Sequence, residues 1–171
     1  LVKMGADIKG IGGNLLRIHG VPELHGASHR VSADFSEAGS YLAAAAATGG
    51  DLTITGIDPA HYRMIRRSFA RLGIELETGP DSLHVAAAQP RQVQPSPGGG
   101  MPVIDDGIWP QFPTDLMSVM IVLATQVSGA VLFFEKMYES RMYFIDRLVD
   151  MGANAVICDP HRAVISGPSQ L

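Results

Sequence analysis

Ala70-Arg71-Leu72-Gly73-Ile74 and Leu148-Val149-Asp150-Met151-Gly152-Ala153 read as one joint used twice, and a third copy, Leu1-Val2-Lys3-Met4-Gly5-Ala6, opens the chain. Each is the last turn of a helix, a glycine, then an extended apolar segment. Glycine ends a helix naturally because it adopts the left-handed conformation with no Cβ clash. A second glycine joint also recurs. Gly50 in Thr48-Gly49-Gly50-Asp51-Leu52-Thr53-Ile54 corresponds to Gly129 in Val127-Ser128-Gly129-Ala130-Val131-Leu132. The interval from Gly50 to Gly73 equals that from Gly129 to Gly152. The interval from Gly73 to Gly129 is longer than that from Gly5 to Gly50. The excess falls in Ala86 to Gly107, which is rich in Pro, Gln and Gly and reads as a loop.

Each repeat therefore runs hairpin, helix, strand, helix. The hairpins are Asp7 to Ile18, Ile74 to Val85 and Asn154 to Ile165. Their turns hold Gly12-Gly13-Asn14, Gly79-Pro80-Asp81-Ser82 and Asp159-Pro160-His161-Arg162. The first helices, Glu37 to Thr48 and Asp115 to Val127, are apolar nearly all round and are expected to be enclosed by sheet. The second helices are His61 to Leu72 and Arg141 to Met151. In the former, Met64, Ile65, Phe69 and Leu72 share one face and Arg63, Arg66, Arg67 and Arg71 the other. Asp58-Pro59 supplies a cap and a first-turn proline. The expected fold is α/β, an inside-out α/β barrel of repeated units with helices inside and sheets outside. It is incomplete, because the chain begins at the end of one unit and stops after a hairpin, as an internal piece of a longer protein would.

With 171 residues the chain can bury a core. A net charge of -4, with only 13 Lys and Arg, argues against nucleic-acid binding. The arginine cluster of the second helix reads as a solvated face. No apolar run is long enough to span a bilayer. A single cysteine, Cys158, rules out an internal disulfide and fits the reducing cytoplasm. No metal or cofactor is expected. Cys158 with His161 lacks a second ligand pair, and His25 with His29 lacks an acidic partner. Asp105-Asp106 reads as solvated loop. Gly98-Gly99-Gly100 is not followed by the Lys-Ser/Thr and helix of a phosphate loop.

The main candidate for chemistry is Asp115, in Gln111-Phe112-Pro113-Thr114-Asp115 directly before the apolar run Leu116 to Ala124. A helix N-terminus favours a carboxylate, and Pro113 stiffens the approach to it. On its own the string reads as a helix cap, which is also a way of holding a base in place. Asp34 and Glu37 read as a cap with a first-turn charge, or else as a hinge or interdomain contact. Arg141 opens a helix, where the macrodipole disfavours a cation, so a specific partner is expected: Glu139, Asp146 or a ligand.

Several strings together resemble the enolpyruvyl transferase family. They are Gly10-Ile11-Gly12-Gly13-Asn14-Leu15-Leu16-Arg17-Ile18, Gly20-Val21-Pro22-Glu23-Leu24-His25-Gly26, Asp34-Phe35-Ser36-Glu37-Ala38-Gly39-Ser40, Phe112-Pro113-Thr114-Asp115 and Met137-Tyr138-Glu139-Ser140-Arg141-Met142. The resemblance covers about Gly5 to Gly167. It implies a longer protein of two domains with the active site in the cleft between them. Residues 1–32 would close one domain and 33–171 would form most of the second. The implied substrates are small molecules, phosphoenolpyruvate and UDP-N-acetylglucosamine. The enolpyruvyl group goes to the 3-hydroxyl of the sugar as cell-wall synthesis begins. By the same resemblance Asp115 is the general base beside that hydroxyl. The Met137 backbone touches the uridine nucleotide, Tyr138 walls its site, and Arg141 joins the substrate-binding set. Cys158 is not the family's reactive-loop cysteine. The chain departs from the family pattern at Phe35, at Leu116-Met117-Ser118-Val119 and at Ser140. Two alternatives stay open: transfer to shikimate 3-phosphate, and a paralogue that binds a nucleotide sugar without turnover. Nothing in the sequence sets an oligomeric state.

Overall fold

The glycine joints bend as expected. Gly5, Gly73 and Gly152 all have positive φ, at 96°, 69° and 112°. At Gly73 an added Cβ would lie 2.3 Å from the Gln92 carbonyl oxygen, and at Gly152 it would lie 2.5 Å from that of Gln170. These two positions thus need both the conformation and the missing side chain.

The computed structural model describes residues 1–171 and divides into two units, Leu1–Ser32 and Ala33–Leu171. The first unit has a 3-10 turn, Val2–Met4, and a hairpin of β1 (Asp7–Lys9) and β2 (Arg17–His19), in register Asp7 to His19. Ile11, Leu15, Leu16, Ile18 and Leu24 are all exposed, so this unit has no core of its own.

The second unit is mixed α/β. Its elements are α1 (Phe35–Thr48), β3 (Leu52–Thr55), α2 (Arg63–Arg71), β4 (Glu77–Thr78), β5 (Ser82–Val85), β6 (Val103–Asp105), α3 (Met117–Ala124), β7 (Gly129–Phe134), α4 (Ile145–Asp150), β8 (Asn154–Asp159) and β9 (Arg162–Gly167). One sheet is antiparallel, ordered β3-β5-β4. The other is ordered β6-β7-β9-β8, with β6 parallel to β7 and the remaining pairs antiparallel. Helix α1 packs on β3 and β5, α3 packs on β7 and β9, and the two helices pack on each other. Phe69, Leu72, Leu83, Ile104, Phe112, Met117, Ile121, Phe133 and Ile165 fill one continuous core. No helix is long and apolar enough to cross a membrane.

Three expectations need correcting. Ala86 to Gly107 is not loop throughout, since it contains β6, and Gln92 bridges Ser128 ahead of it. A parallel partner lies across a whole helix in sequence, so no local pattern announces it. Helix α1 is not enclosed on all sides: Glu37, Tyr41, Ala44 and Thr48 stay exposed. Its alanines make it look apolar, but alanine is there for helix propensity and does not require burial. The arginine face of α2 is not merely solvated. Arg66 Nε donates to the Leu76 carbonyl at 3.3 Å, and Arg71 Nη1 donates to the Val103 carbonyl, so both tie the helix to its surroundings.

Candidate active site

The turn that carries Asp115 is fixed from both sides. Phe112 and Leu116 are buried in the core, and the Phe112 carbonyl accepts the Gly107 N–H at 3.1 Å. Leu116 presses on α1 at Gly39, where an added Cβ would stand 2.6 Å from Leu116 Cδ1. Between these anchors Thr114–Leu116 forms a 3-10 turn, and α3 starts only at Met117. Leu116 takes the buried side of the turn and Asp115 the open one, with 67% of its side chain exposed.

Asp115 is therefore not a cap. Its carboxylate accepts no backbone N–H, and the partner it meets is Arg141, at 3.5 Å. Arg141 pairs with neither Glu139 nor Asp146. It opens the 3-10 turn Arg141–Phe144, after Ser140 in the left-handed region at φ 66°. Its Nη1 donates to the Thr114 carbonyl at 2.7 Å and to the Thr114 hydroxyl at 2.9 Å. Its guanidinium also lies over the Tyr138 ring, 4.9 Å from the centroid. The fork geometry of arginine lets one side chain join the two loops in this way. Asp34, by contrast, does cap α1, accepting from Ser36 N at 2.7 Å.

Met137 and Tyr138 are exposed, at 40% and 53%. Their backbone N–H groups both donate to Glu135 Oε1, at 3.0 and 3.1 Å. The Thr114 hydroxyl donates to the same carboxylate, 2.9 Å from Oε2. Glu135 is fully buried, and so is Asp106, which accepts the Lys136 N–H at 2.6 Å. Burial first, and the adjoining Asp106 carboxyl second, push Glu135 above the usual carboxylate range; its donors Thr114 and Met137 N–H pull the other way. Lys136 Nζ pairs with Asp105 at 2.7 Å, and the His161 ring bonds the Glu135 carbonyl at 2.8 Å.

The structure thus brings Asp115, Arg141, Met137 and Tyr138 together through residues that sequence reasoning missed: Thr114, Glu135 and Asp106. Asp106 is not in a solvated loop, because β6 carries it inside. Glu135 had a readable signal. Val131 and Phe133 point inward along β7, and the same alternation carries Glu135 in after them.

The profile of the family described as EPSP synthase (3-phosphoshikimate 1-carboxyvinyltransferase) matches residues 1–171, the whole chain. The chain belongs to this family. Among EPSP synthase-family relatives, a protein of Borrelia garinii subsp. bavariensis named UDP-N-acetylglucosamine 1-carboxyvinyltransferase is 53% identical over 100% of the chain and 40% of its own length. One of the same name from Treponema denticola is 52% identical over the same shares. The chain spans about 40% of the length of these curated relatives. Among solved structures, the enolpyruvyl transferase NikO from Streptomyces tendae aligns with a TM-score of 0.70 at 20% identity, covering 98% of this chain and 38% of that one. EPSP synthase from Acinetobacter baumannii gives 0.65 at 20% identity, over 99% and 39%. These two likenesses establish a common fold.

Proposed function

We propose that the chain is part of an enzyme that moves the enolpyruvyl group of phosphoenolpyruvate to the 3-hydroxyl of UDP-N-acetylglucosamine, releasing phosphate, at the first committed step of peptidoglycan synthesis. The name carried by relatives 53% and 52% identical across the full chain supports this acceptor over shikimate 3-phosphate. The chain spans about 40% of those relatives, so it holds part of such an enzyme.

The observation that carries the reading is Asp115. It is an exposed carboxylate on a turn pinned by two buried side chains, with one weak partner, Arg141 at 3.5 Å. A general base must reach a substrate hydroxyl and must not be spent on strong internal bonds. An exposed ion pair of this length is worth little in water, so a bound hydroxyl can displace it. In this reading Asp115 takes the proton of the sugar hydroxyl as its oxygen bonds to the enolpyruvyl carbon. Arg141 and Tyr138 flank the nucleotide. The Met137 N–H is already committed to Glu135, which leaves the Met137 carbonyl to meet the uridine.

Residues 33–171 form most of one inside-out α/β barrel domain, and 1–32 form the closing part of the other. Contact between α1 and α3, each backed by a sheet, supports helices inside and sheets outside. The exposed apolar side chains of 1–32 support completion by further chain. The location is cytoplasmic, in keeping with the free thiol of Cys158.

The test is phosphate release by the intact protein with phosphoenolpyruvate and either acceptor. UDP-N-acetylglucosamine should support turnover and shikimate 3-phosphate should not. Asp115→Ala should reduce turnover by about 10²–10⁴-fold, the range for a general base. Stability should move by no more than about 0.5 kcal/mol, as for an exposed residue. Full turnover in the variant would reject the role of Asp115, and turnover with neither acceptor would reject the enzyme.

A further inference from the structure

Two acidic side chains, Asp106 and Glu135, are both fully buried, and Asp106 Oδ1 accepts the N–H of Lys136, the residue next to Glu135, at 2.6 Å. Their donors are unevenly shared. Glu135 takes N–H groups from Met137 and Tyr138 and the hydroxyl of Thr114. Asp106 Oδ1 takes the Lys136 N–H, but Asp106 Oδ2 is buried with no partner. A buried carboxyl oxygen without a donor, with a second buried carboxyl adjoining, is costly if both are ionised and satisfied if the two share a proton. Such a proton belongs to the pair and not to either residue.

We propose that Asp106 and Glu135 share one proton, and that this carboxyl pair positions the loop of Lys136, Met137 and Tyr138 against the Thr114–Asp115 turn. With the proton shared, Glu135 has four partners: the Asp106 carboxyl, two backbone N–H groups and the Thr114 hydroxyl. These reach from the end of β6, from the loop after β7 and from the turn before α3. Both are positioning residues, since neither faces solvent. The catalytic consequence, a pH-dependent placement of Asp115, rests on the transferase reading; the pair itself does not.

Lys136 is paired with Asp105, Arg141 contacts Thr114 and Asp115, and the His161 ring bonds the Glu135 carbonyl. None of them donates to Asp106 Oδ2.

The test is hydrogen exchange at the Lys136, Met137 and Tyr138 amides of the intact protein as a function of pH, corrected for intrinsic exchange. Local opening exposes the pair to water and releases its proton. Protection should therefore fall as pH rises above about 4.3, with a limiting slope of about tenfold per pH unit, until the pair itself titrates. Ordinary ion-paired carboxylates give the opposite slope, so the sign is diagnostic. Asp106→Asn puts a permanent N–H donor where the proton sat and keeps an acceptor for Lys136, so its protection should fall less steeply, with burial of Glu135 as the remaining cause. His161 is present in both proteins, so a slope of its making would persist in the variant. Flat protection in the natural protein, or the same slope in Asp106→Asn, would overturn the proposal. Infrared spectra of the natural protein decide the matter even if the variant does not fold. A protonated-carboxyl band that persists as pH rises above about 4.3, shifted by ¹³C labelling of Asp or Glu, is expected, and its absence overturns the pair. None of these readouts uses turnover, so failure here is separate from failure of the transferase reading.

Discussion

Thr114→Val removes one hydroxyl and leaves the shape of the side chain. That hydroxyl donates to Glu135 at 2.9 Å and accepts from Arg141 at 2.9 Å. A hydrogen bond to a charged group contributes about 1.5–3 kcal/mol, and stranding a buried partner costs about as much. The two bonds are unequal. Arg141 is partly exposed and keeps the Thr114 carbonyl at 2.7 Å, so it loses little. Glu135 is fully buried, keeps its two N–H donors and faces a valine methyl in place of the third. The expected loss is thus one charged bond, about 2–3 kcal/mol. For a chain of this size that lowers Tm by roughly 4–12 °C. Urea denaturation should show the midpoint shift at unchanged m. In a double-mutant cycle with Glu135→Gln the coupling should be at least about 1 kcal/mol, because the two groups touch. Thr48→Val is the control: its hydroxyl donates to the Ala44 carbonyl at 2.9 Å, at an exposed helix end, and the change should stay within about 0.5 kcal/mol. A Thr114→Val effect as small as that of Thr48→Val, or strict additivity with Glu135→Gln, would refute the bridge between the two loops.

Gly73→Ala and Gly152→Ala should each cost at least about 1–2 kcal/mol from the left-handed backbone alone, with more from the carbonyl contacts at 2.3 and 2.5 Å; variants as stable as the natural protein would contradict those turns. His84 lies between Asp51 at 3.1 Å and Glu77 at 3.2 Å, and its bonds to them, Asp51 first, raise its pKa above the usual histidine value. Because the folded value is raised, the stabilisation is complete below about pH 6.5 and is lost as pH rises through the folded value. An NMR titration should place His84 above about 6.5 and bring it back toward that value in Asp51→Asn, whereas a value at or below about 6.5 in the natural protein would refute the clamp.

The order of elements was legible because it depends on local chemistry. Glycines with positive φ end the helices at Gly5, Gly73 and Gly152, prolines and Asx residues make the hairpin turns, and Asp34 and Asp58 start helices by accepting backbone N–H groups. Strand β6 was hidden for a physical reason. Three residues carry no measurable alternation, and what makes them a strand is Leu132, Phe133 and Phe134 on the far side of α3. A parallel pairing is a tertiary event, and a Pro- and Gly-rich composition before it points the other way.

The site divides along the same line. Asp115 is a candidate by its own string, because a proline and two flanking apolar anchors are local facts, but the cap that string implies does not form. Its partner could not be named from that string. Arg141 is expected to meet Glu139, Asp146 or a ligand, and both of those acids lose to the Thr114 carbonyl, an acceptor that exists only once the 3-10 turn has formed. The same holds for Asp106. Beside a run of glycines it reads as surface, yet the β6–β7 pairing seals it next to Glu135. That burial imposes a condition on the whole region. A fold that encloses two carboxyls at one point must either bring a cation to them or keep a proton there, and Lys136 Nζ and Arg141 are engaged with Asp105 and with Thr114 and Asp115. The exposed carboxylate at Asp115 and the enclosed one at Glu135 are joined through a single threonine. The network that fixes the first therefore depends on how the second is neutralised, and protonation of the buried pair is the step at which pH reaches the surface residue.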